Sequence, residues 1–413
     1  MKLLVFAHTP PPHHGQSYMV QLMVEGFGGD CRHRPAGTPP PTDIECYHVN
    51  CRYSEGFEDI GSFRLGKMWL VIRYCLEAIW CRYRYDVHTF YYVPAPGKRA
   101  ALYRDWVVML LCRPFFRNIV HHWHAVGLGD WLRSDGTWIE RWITHRLLGR
   151  CELGIALANP SMRDALWFRS QTVEIVPNGI PDPCPDFDED LLPRRRARVE
   201  ARRKLLRGET LSMEERAAAG GDPEVFHVLY LAHCTRQKGL FDTLEAVAAA
   251  NARLLRENSP IRCRLVVAGA FLEAREEKEF QYRVCQPDLV EAVSYAGFVN
   301  SEAKTALLWQ SDCLCFPTYY HAESFGLVVV EAMAAGLCVV TTRWRALPDL
   351  LPADYPGFAP IQNPGAISKA LIAAFQWDTG ELRAAFLAQF AEDKYVKGLV
   401  CALRSLSGKR WIA

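Results

Sequence analysis

No stretch of this chain approaches the ~20 uninterrupted apolar residues that a bilayer-crossing helix requires. Charge of one sign is also missing: 48 Lys and Arg stand against 46 Asp and Glu, and the resulting +2 gives no whole-chain attraction to nucleic acid. Any anion site must therefore be local. The 15 cysteines are an odd number, contain no C-x-x-C pair, and are scattered through apparent strands and helices, as at Cys263, Cys313 and Cys338. They read as reduced core thiols rather than as a disulfide or zinc framework. No G-x-G-x-x-G follows an apolar strand, which disfavours a nicotinamide enzyme. The apolar run near Met1 is too short for a secretory signal, and Thr9 to His14 follow where a longer hydrophobic region should be, so a cytoplasmic protein is expected.

What is present is ordinary globular sequence in unusual quantity for one core. With 413 residues, half of them hydrophobic and 23% charged, two domains are expected. Apolar strands at 3–7, 86–92, 118–120, 153–157 and 173–176 alternate with helical patterns, notably 66–80 and 138–148. A second set follows at 225–231, 263–269, 293–298, 313–316 and 339–342. That alternation predicts an α/β fold of two Rossmann-like halves with parallel sheets, which take ligands at the carboxyl ends of their strands. The expected boundaries are 1–180, a proline-rich acidic linker and solvated charged helix at 181–224, a second domain at 225–385, and a terminal helical segment at 386–413.

The richest stretch is Phe316 to Pro348. Leu314 to Phe316 is a short apolar run stopped by Pro317, Leu327 to Ala335 is an apolar helix that Gly336 can end as a left-handed cap, and Leu337 to Val340 is the next strand. Glu323 and Glu331 are eight residues apart. On one helix they would be separated by about 80° and about 12 Å, too far for one small group to meet both. Glu323 therefore belongs in the loop and Glu331 in the helix, with Ser324, Phe325 and Gly326 at the helix N-terminus, where free N–H groups bind phosphate. Carboxylates suit paired hydroxyls, and a nucleotide diphosphate sugar fits that set.

This E-x7-E pattern resembles the retaining GT-B glycosyltransferases of family 4, two Rossmann-like domains facing across a cleft. The resemblance implies that Glu323 and the amides through Leu327 contact the donor sugar and that Glu331 holds the ribose. Four landmarks follow the family's order. P-P-P-H-H-G-Q-S at Pro10 to Ser17 places Gly15 and Gln16 near donor phosphates or acceptor. In N-I-V-H-H-W-H-A, alternation turns His122 and His124 to one face and His121 to the other; the family's histidine near the reacting carbon matches His124, then His122. V-P-N-G-I marks the family's domain junction, with Asn178 and Gly179 suited to a positive-φ hinge. L-A-H-C-T-R-Q-K-G-L supplies Lys238 for the donor diphosphate, while the family's upstream arginine is absent, leaving Arg236 or His233 to replace it. The last segment would return to the first domain.

The implied reaction is sugar transfer from a nucleotide donor to a glycan, lipid-linked or small-molecule hydroxyl with retention of configuration, in glycan or glycolipid biosynthesis. Electrostatic stabilisation by Lys238, Arg236 and the Ser324 to Gly326 helix terminus makes a metal unnecessary, and no cofactor is expected. Asp186-Phe187-Asp188 matches D-x-D formally but lies in the acidic linker, not at a strand end. A sugar-nucleotide epimerase on the same scaffold and a catalytically silent nucleotide-sugar binder are the alternatives. Arg343, Trp344 and Arg345 stand where relatives carry small glycines and could close down or charge the donor pocket. From Phe63 to Arg84 cations interleave with aromatics on a helical pattern, which fits either a membrane-surface helix or a buried helix with snorkelling arginines.

Overall fold

The computed structural model describes residues 1–11, 15–35, 37–53, 65–377 and 380–406. The chain divides into two units, Met1–Ile180 with Gln389–Ala413, and Pro181–Ala388.

The first unit runs β1 (Lys2–Phe6), α1 (Gly15–Gly26), β2 (Glu45–Val49), α2 (Leu65–Arg84), β3 (Thr89–Tyr92), α3 (Arg99–Cys112), β4 (Asn118–Trp123), α4 (Leu128–Ser134), α5 (Trp138–Leu148), β5 (Leu153–Ala156), α6 (Asn159–Trp167) and β6 (Thr172–Ile175). Its sheet has the order 2-1-3-4-5-6, and every pairing is parallel. β2, a short Glu-Cys-Tyr-His-Val strand after a proline-rich run, has no strong apolar signal in sequence, yet it is the sheet's edge strand and its pairing places β1 inside the sheet. β3 begins at Thr89 rather than Asp86 because Asp86 is left-handed, with φ 55°. Phe6, Phe90 and Tyr92 of the sheet share one core with Val71 and Cys75 of α2 and Val108 and Met109 of α3.

The second unit runs α7 (Leu192–Leu206), α8 (Met213–Ala218), β7 (Val225–Leu231), α9 (Leu240–Arg256), β8 (Arg262–Ala268), α10 (Ala274–Val284), β9 (Val293–Gly297), α11 (Ser301–Gln310), β10 (Cys313–Phe316), α12 (Leu327–Ala334), β11 (Cys338–Thr342), α13 (Leu347–Leu350), β12 (Phe358–Ala359), α14 (Pro364–Ala373) and α15 (Gly380–Gln389). The sheet order is 12-11-10-7-8-9, again wholly parallel. β12 has only two residues, too few for any periodicity to announce it. Gly336 does close α12, at φ 62°. Phe226, Val228 and Tyr230 of β7 pack with Leu244 and Val247 of α9 and Ile367 and Leu371 of α14. All 15 cysteines are free thiols, and 12 of them are buried, so they fill these cores.

Three expectations are corrected. Residues 181–224 are not a linker with a solvated helix: α7 buries Arg195, Arg198 and Arg202 on one face against the second unit. Their 3-and-4 spacing is that of an apolar stripe, and the acid that satisfies two of them, Asp312, lies far away in sequence. Asp186, Phe187 and Asp188 lie at a single helical turn, Phe187–Leu191, and Phe187 is the buried member, 4.9 Å beneath the Arg383 guanidinium. Gly179 is not a positive-φ hinge residue; it is glycine because a Cβ would sit 2.6 Å from the Ala391 carbonyl oxygen. There Ile180 N–H donates to Phe390 O, and Glu392 N–H donates to Ile180 O, each at 2.9 Å. That bridge interrupts the terminal helical segment expected over 386–413, which among the described residues is α15 followed by α16 (Glu392–Arg404).

β4 carries histidines with no room for charge. His121 packs edge-on to Trp123, and burial pushes its imidazole down to about 3; burial with the His124 charge pushes His122 well below its ordinary value. Below about 6.5 the unfolded chain therefore binds protons that the native chain refuses, and stability falls with pH. His121 alone should cost about 2 kcal/mol between pH 7 and pH 5. Urea unfolding across that window checks this: a midpoint that stays level would show the imidazoles are protonated in the native state.

Candidate functional site

The second sheet reverses its strand order between β7 and β10, so the carboxyl ends of those two strands are where an open parallel sheet receives a ligand. From β7 the chain passes into a 3-10 turn, Arg236–Lys238, where the Thr235 side chain accepts from Lys238 N–H. Gly239 follows at φ 84°, so near the loop after β10 that a Cβ would stand 2.5 Å from the Pro317 carbonyl oxygen. Tyr319 N–H donates to Gln237 O at 2.8 Å, and the Thr318 hydroxyl donates to the same oxygen at 3.3 Å. These contacts bring the Lys238 ammonium 2.6 Å from Glu323 Oε2 across 85 residues of sequence. The Glu323 side chain is 9% exposed, so the pair is largely out of water.

Glu323 lies in the loop and Glu331 in α12, the division the spacing argument requires. Gly326, at φ 88°, precedes α12 and offers no side-chain cap, and the first turn carries no acid. Val329 N–H donates back to the Gly326 carbonyl at 2.9 Å, and a helix start without a side-chain cap can offer its remaining first-turn amides to an external acceptor. Ser324 is half-buried, Phe325 is buried and Leu327 is half-buried beside them. Glu331 is met by Lys304 of α11 at 2.6 Å, a partner with no sequence signature because the two sit on different helices. Each glutamate is therefore paired with one lysine.

Other anticipated residues are placed differently. Arg236 does not join Lys238: its guanidinium pairs with Glu279 of α10 and lies 4.4 Å over the Phe241 ring. His233 is exposed, and desolvation followed by the Lys238 charge pushes its imidazole below the ordinary value, so it adds little positive charge. The basic loop after β11 splits in two. Arg343 lies 4.4 Å over Phe358, while Trp344 Nε1 donates to the Tyr320 carbonyl at 2.8 Å and so ties Arg345 to the loop that bears Glu323. Arg345 is left-handed, φ 50°, and its buried Nε has no hydrogen-bond partner among the described residues.

In the first unit, Gly15 opens α1 exposed and Gln16 is half-buried, while Pro12 to His14 of their motif lie outside the described residues. The β4 alternation is as expected: His121 faces Tyr92 and Trp123, whereas His122 faces Tyr91, whose hydroxyl meets Nδ1 at 2.5 Å. His124 follows the strand with its ring 4.0 Å from that of His122.

Residues 213–386 match the family described as glycosyl transferases group 1. The chain is 35% identical over 127 residues to the D-inositol 3-phosphate glycosyltransferase of Pseudarthrobacter chlorophenolicus, an alignment covering 30% of this chain and 28% of that one. It is 33% identical over 106 residues to the phosphatidyl-myo-inositol mannosyltransferase of Mycolicibacterium smegmatis, covering 25% and 27%. The chain thus spans little more than a quarter of the length of these relatives. Among solved structures, Anabaena HepE in complex with UDP and glucose superposes with a TM-score of 0.63 and 14% identity over 98% of this chain and 99% of that one. That likeness shows the fold, which is GT-B.

Proposed function

We propose that this protein is a metal-independent retaining glycosyltransferase of family 4, moving a hexose from a nucleotide diphosphate sugar to a hydroxyl acceptor in the cytoplasm. The observation that carries the reading is the buried Lys238–Glu323 pair beside the uncapped N-terminus of α12. In the reaction the bond from the anomeric carbon to the diphosphate oxygen breaks, a bond from that carbon to the acceptor oxygen forms, and the hydroxyl proton leaves with the diphosphate. Negative charge grows on a phosphate oxygen. Lys238 and the α12 amides are the positive groups fixed beside that place, which is what such a transition state requires. Glu323 accepts from the sugar hydroxyls and Glu331 from the ribose, each exchanging a lysine contact for a ligand contact. Arg236 is held by Glu279, so Arg345, which follows the Trp344 whose indole donates to the Tyr320 carbonyl of the Glu323 loop, is the guanidinium assigned to add charge there. Retention rests on the resemblance in the E-x7-E pattern. The inositol phosphate and phosphatidylinositol in the names of the two relatives support a small-molecule or lipid-linked hydroxyl acceptor.

A second reading, a silent nucleotide-sugar binder, is favoured by one observation: Arg236 is neutralised by Glu279. Both readings share the donor site, and thermal shift against UDP, GDP, ADP and CMP, with and without EDTA, tests it. A nucleotide at a hundred times its dissociation constant should stabilise the wild type by about 2.7 kcal/mol. One nucleotide should act, EDTA should not change the response, and Glu331→Ala should abolish it; no response to any of them removes the donor site. Release of nucleotide from the matching sugar nucleotide then separates enzyme from binder.

A further inference from the structure

α3 packs between α2 and α5, and the inner faces of all three helices enter the core of the first unit. Their outer faces should be polar if water covers them. They are not. Along α2 the outward stripe is Trp69, Arg73, Leu76, Trp80 and Tyr83, at successive spacings of four and three, with Trp69 67% and Trp80 52% exposed. α3 adds Leu110. α5 presents Trp138 at 70% and Trp142 at 64% exposure, with Ile139 between them and Arg146 a turn beyond. Phe63 and Arg64, which begin the aromatic and basic run, lie outside the described residues.

Charge accompanies the aromatics. The three helices hold eight Lys and Arg against three Asp and Glu, in a chain that is otherwise balanced. Each acid is already answered: Glu77 by Arg32, Asp105 by Arg104, Glu140 by Arg99. Arg73, Arg84 and Arg146 remain exposed on the outer side. Four exposed tryptophans on two helices, leucines between them, arginines around them and no unanswered acid are the composition of a surface that sits at the headgroup level of a bilayer. A protein partner would need acids set against these arginines and a cleft for each indole; an anionic lipid surface supplies phosphate everywhere and conforms to the side chains.

We propose that the outward face of α2, α3 and α5 docks on an anionic lipid bilayer, its indoles and leucines entering the interface and its arginines meeting lipid phosphates. This does not depend on the donor site or on the reaction.

The test is flotation of the full chain with vesicles of phosphatidylcholine alone and with about one third phosphatidylglycerol. The expected result is binding to the anionic vesicles, weakened by salt, and about tenfold or more weaker for Trp80→Ser with Trp142→Ser and for Arg73→Glu with Arg146→Glu. These side chains are exposed, so the variants should fold, which an unchanged nucleotide thermal shift or unfolding midpoint verifies. Absence of flotation with either vesicle, or binding undiminished in both double variants, overturns the proposal. Sedimentation showing a wild-type dimer that Trp80→Ser with Trp142→Ser converts to monomer, without vesicle binding, would assign the face to a second copy of this chain and overturn it as well.

Discussion

Asp312→Ala should destabilise the second unit by about 3–5 kcal/mol, read as a lowered urea midpoint. Asp312 precedes β10 and accepts from Arg198 Nε at 2.9 Å, from an Arg202 terminal nitrogen at 2.6 Å and from His227 N–H at 2.9 Å. Removing it leaves two guanidinium groups buried without their counter-ion, although each keeps backbone acceptors, such as the Val225 carbonyl. Burial by itself would raise the Asp312 carboxyl, but Arg202 and Arg198 outweigh burial and hold it well below the usual carboxylate range. A depressed carboxyl contributes stability above about pH 4 and loses it only in stronger acid, so the deficit of the variant should be level from pH 5 to 8. Asp312→Asn, which keeps an acceptor, should lose less than alanine does. A loss below about 1 kcal/mol for the alanine variant would mean that α7 is held by its backbone bonds and not by this charge cluster.

Lys238→Ala should lower kcat/KM for the sugar nucleotide by about 10²- to 10³-fold, measured as nucleotide release, if Lys238 meets the leaving diphosphate. Most of the loss should be in kcat, because the charge it answers grows in the transition state. Lys238→Arg should recover part of it. The substitution also strips Glu323 of its 2.6 Å partner, so a purely structural lysine is distinguished by the ligand-free protein: that role would show its main loss in the unfolding midpoint without nucleotide, whereas the proposed role shows it in kcat and in the shift given by a nucleoside diphosphate. Turnover at the wild-type level in Lys238→Ala would remove Lys238 from the reaction.

The sequence makes the alternation of strands and helices readable because each buried parallel strand is a short apolar run, and each covering helix repeats its apolar face. It misses β2 and β12, whose few residues carry no period, and it misreads α7, whose buried stripe is arginine instead of leucine. Glu323 is legible as a candidate from its spacing to α12, and Lys238 through the resemblance of its loop to the family's. Lys304 is not, since nothing local marks a lysine that turns toward a glutamate on another helix. Arg236 looks equivalent to Lys238 from two positions away, yet the 3-10 turn sends the two side chains to different acids.

By itself, then, the sequence determined what local patterns can encode: two parallel α/β halves, a glutamate in a loop, another on a helix, and a helix N-terminus between them. Tertiary structure decided which charges meet. Asp312 draws Arg198 and Arg202 inward, Glu279 withdraws Arg236, and the approach of Gly239 to Pro317 lets Lys238 reach Glu323. Ion-pair partners are chosen by distance and burial after the chain has packed, and neither quantity is written in the spacing of residues along it.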